Sequence, residues 1–171
     1  MGGRVTDKLT PQGKKFFEEL QKLGKLQAQV GFTAEKSGHG KNNESVSAND
    51  YDDGPTIAEV AAWNEFGTKH IPERPFLRQS VDKNISTIKA MCAAQLKEMA
   101  DGKADADKAI RAIGALQVGL IQYEIIEGDF VDNSLSTKKI KGGSVTAQTT
   151  PLIDTGRMRQ SVHYVIKPRE G

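Results

Sequence analysis

The sequence predicts an α+β fold, with a small mixed or antiparallel sheet packed against three to four helices. Two segments near the ends of the chain, 26–32 and 161–167, alternate apolar and polar residues as half-buried strands do. Between them, apolar residues recur at helical spacing in several segments. Two long polar stretches, 33–55 and 128–150, are predicted to be projecting loops that become ordered only against a partner.

Composition sets only broad limits on function. The 171 residues predict one domain, 1–171, large enough to bury a core. The net charge of +2 gives no bulk electrostatic argument for nucleic-acid binding. The longest apolar run is a few residues, so no membrane span or membrane partner is predicted. Cys92 is the only cysteine, which excludes an intramolecular disulfide and a cysteine-based metal site.

The first elements are a helix and a strand. Thr10 suits the cap of a helix and Pro11 its first position, while Gly24 is typical of a helix end. The strand that follows places four alternating residues on one buried face: Leu26, Ala28, Val30 and Phe32.

A second helix begins after a capping box. Thr56 and Glu59 have the T-x-x-E spacing in which each side chain accepts a backbone N–H from the other end of the first turn. Gly67 is predicted to end this helix in a left-handed conformation. The segment supplies three aromatic residues that are predicted to be largely buried: Trp63, Phe66 and Phe76.

The segment 71–76 is predicted to be extended. Pro72 and Pro75 each push the preceding residue out of the helical region. Arg74 and Arg78 would project from this rigid segment, and rigid segments lose little entropy when they dock. Two roles therefore stay open, a contact between subunits and an intramolecular brace.

Two longer helices follow. One is predicted from residue 77 to about 101, and the other over 105–127. The first of these carries an apolar stripe made of Leu77, Val81, Ile85, Ile88, Cys92, Leu96 and Met99. The closing strand places Val162, Tyr164 and Ile166 on its buried face.

An ordered pair of motifs indicates a family. W-N-E-F-G-T at 63–68 and I-P-E-R-P-F-L-R at 71–78 are followed much later by P-L-I-D-T-G-R-M at 151–158. In this order they resemble the neck and tail-completion proteins of tailed bacteriophages, which are similar in motif style to HK97-type tail components. The resemblance covers about a third of the positions, and the N-terminal helix and the insertion 33–55 depart from the shortest family members.

The resemblance implies a structural virion protein at the head–tail junction, assembled in the host cytoplasm. It implies a homo-oligomeric ring, with six subunits favoured and twelve as the alternative, and no catalytic residue, cofactor or metal. The implied partners are portal, adaptor or head-closure proteins on one side and a tail terminator or tail tube on the other. Candidate interface residues are Arg74, Phe76, Arg78, Arg157 and Arg159. A tail terminator and a non-virion DNA-binding accessory protein are the alternatives.

The D-T-G triplet at 154–156 is also found in retroviral-type aspartic proteases. Only 15 residues follow Gly156, too few for the β-rich segment that supports the catalytic loop in those enzymes. We therefore interpret Asp154 as the cap of a short helix that begins at Thr155 or Gly156, with Gly156 in the turn.

Two other sets of residues suggest weaker sites. His39, His70 and His163 do not have metal-ligand or catalytic spacing and are predicted to lie on the surface. The basic residues of the C-terminal third favour a solvated face or an inter-subunit surface, and non-specific contact with packaged DNA is an alternative. They are Lys138, Lys139, Lys141, Arg157, Arg159, Lys167 and Arg169.

Overall fold

The computed structural model describes residues 9–32, 55–133, 151–153 and 156–169 of the chain. Within these ranges the fold is α+β, as predicted, with a two-stranded antiparallel sheet. In chain order its elements are α1 Pro11–Gly24, β1 Leu26–Phe32, α2 Ile57–Phe66, α3 Phe76–Asp82, α4 Ile85–Ala100, α5 Ala106–Glu127, α6 Arg157–Gln160 and β2 Val162–Pro168. The described part has six helices because one predicted helix is divided and α6 is a single turn.

The predicted starts of α1 and α2 are confirmed. The Thr10 hydroxyl accepts a hydrogen bond from Gly13 N, and Pro11 is the first helical residue. At α2 the capping box is complete, with Thr56 Oγ1 accepting from Glu59 N and Glu59 Oε2 accepting from Thr56 N. The hydrogen bond from the Thr56 N–H is the largest cause that lowers the pKa of Glu59.

The helix predicted from residue 77 to about 101 is in fact two helices, α3 and α4. The break lies at Lys83 and Asn84, where Asn84 N donates to Val81 O and Asn84 Nδ2 donates to Ser80 O. Asparagine side chains compete with backbone donors in this way, which favours a turn over a continuing helix. The predicted stripe is also less buried than expected, because Ile85 and Leu96 are exposed and Met99 is the only buried residue of α4.

Helix α5 matches its predicted range. By length and composition alone it is apolar enough to cross a membrane, with a mean hydropathy of 1.3 over its most apolar window. A core helix passes the same test, and α5 does bury Ile121 and Ile125 in the hydrophobic core. The prediction of no membrane partner therefore stays a prediction.

The predicted pairing of the two terminal strands is confirmed. β1 and β2 form the sheet, and Arg169 N donates to Lys25 O beyond their ends. The Gln27 side chain also donates to Pro168 O at 3.2 Å. The sheet therefore joins segments from near the two ends of the described chain.

The chain divides into two compact units, each assembled from separate segments. Unit 1 contains Met1–Gln29, Ile85–Leu116 and Tyr164–Gly171, and unit 2 contains Val30–Asn84 and Gln117–His163. Parts of β1, α5 and β2 belong to each unit. The prediction of one domain over 1–171 stays a prediction.

Unit 2 contains the main hydrophobic core. Phe76 is its largest fully buried side chain, and the Phe32 ring contacts it edge to face at 5.9 Å between centroids. The other members come from α2, α5, the segment before α6, α6 and β2, and are Ile57, Ala61, Ile121, Ile125, Leu152, Met158 and Val162.

Unit 1 is held by smaller contacts. No residue of α1 is buried, but Gln12 Nε2 donates to Ala100 O and Glu19 Oε2 accepts from Ala106 N. Helix α1 therefore satisfies backbone groups at the end of α4 and the start of α5. The Tyr164 ring lies against Gly114 so closely that a Cβ there would be 2.7 Å from Tyr164 Cδ2.

Most of the two predicted loops lies outside the described residues, so their dependence on a partner stays a prediction. Residues 128–133 are described and have no regular secondary structure. Phe130 packs against the core, and Arg74 donates to the carbonyls of Val131 and Asp132. The start of this segment is therefore fixed to unit 2.

Candidate functional site

The two motif regions, 63–78 and 151–158, meet in the core of unit 2. Phe76 and the helix α2 that leads into the first region share one cluster of buried side chains with Leu152 and Met158 of the second. Burial of each such side chain contributes on the order of 2 kcal/mol. The candidate site is therefore a packed structural unit built from both motifs.

Gly67 ends α2 with a conformation that only glycine adopts readily. Its φ is 71° and its ψ is 169°, so the predicted positive φ is confirmed but the ψ is not that of a left-handed helix. A Cβ at this position would lie 3.1 Å from Glu73 N and 3.2 Å from Ile71 O. The chain thus turns back on itself tightly, and Thr68 N donates to Ile71 O at 2.8 Å.

A second tight turn aims Phe76 into the core. Phe76 N donates to Arg74 O at 2.8 Å across Pro75, whose φ and ψ are −78° and 59°. These values are those of an inverse γ-turn, which proline favours because its ring fixes φ. The segment predicted to be extended therefore contains a turn at Pro75, and its last residue, Phe76, is the first residue of α3.

The Glu65 side chain hydrogen-bonds the backbone of the first turn of α3. Glu65 is 1% exposed, and its carboxylate accepts from Leu77 N at 2.8 Å and from Arg78 N at 3.2 Å. The side chain of Arg78 adds a hydrogen bond from Nε at 2.8 Å. An acidic group at this end of a helix complements backbone N–H groups that have no helical partner.

Arg74 is buried, and the expectation that it projects is wrong. It is 4% exposed and donates to Asn64 Oδ1, to Asn133 Oδ1 and to the carbonyls of Val131 and Asp132. Desolvation by burial lowers the pKa of its guanidinium. The contacts of Arg74 and the burial of Phe76 are those of an intramolecular brace, and a role of these two residues in a subunit contact stays a prediction.

Arg78 keeps its predicted outward position. Its side chain is 51% exposed, pairs with Glu65 and Glu73, and lies over the Phe66 ring at 5.5 Å from the centroid. The hydrogen bonds that Arg78 donates to Glu65 and then to Glu73 raise the pKa of Arg78. Its role in a subunit contact stays a prediction.

Two of the three aromatic predictions are wrong. Phe76 is buried as expected, but Trp63 is 40% exposed and Phe66 is 70% exposed. Helix α2 turns Ile57, Ala61 and Glu65 toward the interior, so residues 63 and 66 fall on its other side. The hydrophobicity of Trp63 and Phe66 suggested a core position. The sequence does not reveal that Glu65, a carboxylate, occupies the inner face of α2.

The second motif is described in part. Asp154 and Thr155 lie outside the described residues, so the proposed cap by Asp154 stays a prediction. Gly156 has φ 75° and ψ −3°, a left-handed residue, and α6 begins at Arg157. Arg157 and Arg159 are exposed, and their predicted pairing with a carboxylate of this or another subunit is untested.

The residues with possible reactive roles are placed as follows. His70 is exposed, while His163 is half-buried with Nδ1 3.0 Å from Ser161 O, and His39 lies outside the described ranges. Within those ranges no three His, Cys, Asp or Glu residues are grouped to hold a metal ion. After Gly156 the described chain consists of α6 and β2.

Sequence reasoning missed the pairings Asn64–Arg74 and Glu65–Arg78. The polar pair N-E at the end of α2 and the two arginines of the following motif were available signals, since buried polar groups need partners. Neither pair has a regular helical or strand spacing, so the turn at Gly67 had to be known first. No sequence signal indicated that Gly114 packs against Tyr164, because the two residues are distant in sequence.

Comparison with known proteins adds no further assignment. No protein-family model, no curated protein and no solved structure matches this chain. A proposal about function therefore depends on the motif resemblance together with the geometry of unit 2.

Proposed function

We propose that this chain is a structural virion protein of the head–tail junction in a tailed bacteriophage. It is a neck or tail-completion protein, forms a ring, and connects portal or head-closure proteins to the tail. The proposal is non-enzymatic and involves no cofactor. Its basis is the ordered pair of motifs, 63–78 and 151–158.

One structural observation supports the proposal in addition to the sequence resemblance: both motifs contribute side chains to a single hydrophobic core. Gly67 makes the turn after α2. Across this turn Glu65 accepts a hydrogen bond from Leu77 N, and Arg74 donates one to Asn64. Phe76 then packs with Leu152 and Met158. Each named motif residue has a structural task that depends on the others. This supports a common architecture with the family, because a chance match to two distant motifs would not be expected to pack them together.

A ring suits the surface of unit 2. Trp63, Phe66 and Arg78 are exposed beside one another, and aromatic residues with arginine are enriched at subunit contacts. A closed ring uses one surface of each subunit against a different surface of the next. We favour six subunits from the resemblance, with twelve as the alternative.

The test is genetic and uses a tailed phage whose genome encodes this chain. A nonsense mutation in its gene should leave DNA-filled heads and finished tails that do not join, as seen by electron microscopy of the lysate. Supplying the chain from a plasmid should restore joined particles. Joined, infectious particles in the absence of the chain would overturn the proposal.

The same lysates separate the tail-terminator alternative. Loss of a terminator should leave tails of uncontrolled length, because nothing ends their growth. Loss of a neck protein should leave tails of normal length. Measured tail-length distributions therefore decide between the two positions.

A DNA-binding accessory protein is the alternative from another class. Four basic residues in the described segment 156–169 are exposed: Arg157, Arg159, Lys167 and Arg169. If they bind phosphates, affinity for duplex DNA should fall steeply with salt. The accessory role requires the chain to be absent from nuclease-treated, purified virions, whereas the neck role requires it to be present.

A further inference from the structure

Unit 2 presents an exposed apolar surface that we call the Trp63 face, formed by Trp63, Phe66 and Val131. These side chains belong to residues that are 40%, 70% and 62% exposed. Trp63 and Phe66 lie three residues apart on α2, so they are neighbours on its outer side. Arg74 brings Val131 to the same end of α2, since it donates to Val131 O and to Asn64 Oδ1.

The Trp63 face is held rigidly by buried contacts beneath it. Glu65 and Arg74, both nearly fully buried, fix the last turn of α2 and the segment around Val131. A face that is already ordered loses little conformational entropy when it docks. The acidic residues Asp129 and Asp132 lie on either side of Val131 in the chain and are both exposed.

A second exposed apolar surface belongs to unit 1, and we call it the α4 outer face. It consists of Ile85, Lys89, Ala93, Leu96, Lys97 and Ala100, which share one side of the helix at 3.6 residues per turn. All six are exposed. Lys89 and Lys97 are the charged residues of this face, so it is basic.

The charge of the sequence is divided unequally between the units. The segments of unit 1 contain 13 basic and 8 acidic residues, a net charge of +5. Those of unit 2 contain 11 basic and 14 acidic residues, a net charge of −3. The net charges of the two units are therefore opposite in sign, which favours an approach of unit 1 of one copy to unit 2 of another.

We propose that the Trp63 face of one copy docks on the α4 outer face of a second copy. The aromatic rings cover the alanines and Leu96, where small side chains permit close approach. Lys89 and Lys97 then lie where they can contact Asp129, Asp132 and the Trp63 ring, and Trp is the strongest cation–π partner among side chains. Because the two faces differ, the contact repeats from copy to copy and closes into a ring when the rotation permits.

This inference rests on the proposed function for its ring but is tested in solution with the full chain alone. Wild-type protein should associate with rising concentration in sedimentation velocity, more weakly at higher salt. Trp63→Ala/Phe66→Ala and Lys89→Glu/Lys97→Glu should each be monomeric at concentrations where the wild type associates. Loss of a central aromatic anchor should weaken association about 30-fold or more.

The decisive step is to mix the two variants. Each retains one intact face, so an equimolar mixture should form one-to-one dimers and nothing larger. If either variant alone still assembles like the wild type, or if the mixture stays monomeric, the proposed contact is wrong. Tyr123→Ala and Lys14→Glu/Lys15→Glu change an exposed aromatic residue and two exposed lysines elsewhere, and both should associate like the wild type.

A measurement on the wild-type chain guards against variants that fail to fold. Trp63 is the only tryptophan, so its fluorescence reports directly on the Trp63 face. Association should shift its emission to shorter wavelength and reduce quenching by acrylamide. Unchanged quenching through the association range would show that another surface is used.

Failure here and failure of the proposed function give different results. If the chain is required for joining heads to tails but its association does not involve these faces, the inference alone is wrong. If the faces pair as described but phage lacking the chain is infectious, the proposed function alone is wrong.

Discussion

Unit 2 and unit 1 hold their elements together in different ways. In unit 2, Phe76 and Ile125 fill the core, and buried Glu65 and Arg74 connect α2 to the segments that pack beside it. In unit 1 the described buried side chains are fewer and mostly smaller, and α1 buries none. Its elements are joined instead by caps at helix ends, such as Gln12 to Ala100 O.

This difference indicates which unit sets the stability of the isolated chain. Buried aromatic and charged groups make unit 2 sensitive to single substitutions and fix the surface above it. Exposed apolar side chains remain on both units, such as Phe17 and Ile85 on unit 1 and Trp63 and Phe66 on unit 2, so their further burial is available only from other surfaces. We therefore expect unit 2 to set the stability of the isolated chain.

The largest expected effect is that of Phe76→Ala. Removing a fully buried aromatic ring should lower the free energy of unfolding by about 3–5 kcal/mol, measured by urea titration of the full chain. Phe17→Ala in unit 1 is the control, and because Phe17 is 49% exposed the loss should be about 1 kcal/mol or less. Equal losses would remove the contrast between the units.

Arg74→Ala should have the next largest effect. It leaves the Asn64 side chain and backbone carbonyls near Val131 without their donor, at a cost of about 2–3 kcal/mol. Arg74→Lys keeps the charge but not the planar fork, so it should recover only part of the loss. Arg111→Ala removes an exposed arginine that pairs with Asp107 in unit 1, and its melting temperature should hardly change.

Gly67→Ala tests the comparison of the two units at a backbone position, with Gly102 of unit 1 as its counterpart. A Cβ at φ 71° would meet the backbone of Glu73 and Ile71, so we expect a loss of about 1–3 kcal/mol by thermal denaturation. Gly102 has a similar φ of 73° but nothing within 4 Å of the added Cβ, so Gly102→Ala should lose only about 1 kcal/mol. A larger loss at Gly102 would show that crowding at Gly67 is unimportant.

The smallest expected effect concerns pH and unit 1. The hydrogen bond from Ala106 N, followed by that from Lys22, lowers the pKa of Glu19 below its ordinary 4.5. A lowered carboxyl pKa means that this stabilisation is fully present above about pH 4.5 and is lost as the pH falls through the folded-state value. Glu19→Gln should therefore flatten the acid side of the stability profile, and an unchanged profile would count against the Glu19 cap.

Local signals predicted much of the fold. The caps at Thr10 and Thr56, the ranges of α1, β1 and α5, and the pairing of the terminal strands all follow from patterns within a few turns or alternating positions. The break at Asn84 was missed because the apolar stripe continues through it, while its side-chain hydrogen bond to Ser80 O opposes the helix.

The candidate site was predicted less well for a related reason. Its polar pairs join residues across the turn at Gly67, and Arg74 finds further acceptors near Val131, far along the chain. The sequence predicted that Arg74 projects and that Trp63 and Phe66 are buried, and the opposite holds for all three. The burial of Glu65 was not predicted.

Electron microscopy of the purified 171-residue chain at high concentration tests the central proposal most directly. A neck or tail-completion protein should appear as closed rings of uniform diameter, and class averages should show sixfold symmetry. A chain that stays monomeric at every concentration, or that forms only two-fold dimers, would contradict the account of a ring at the head–tail junction.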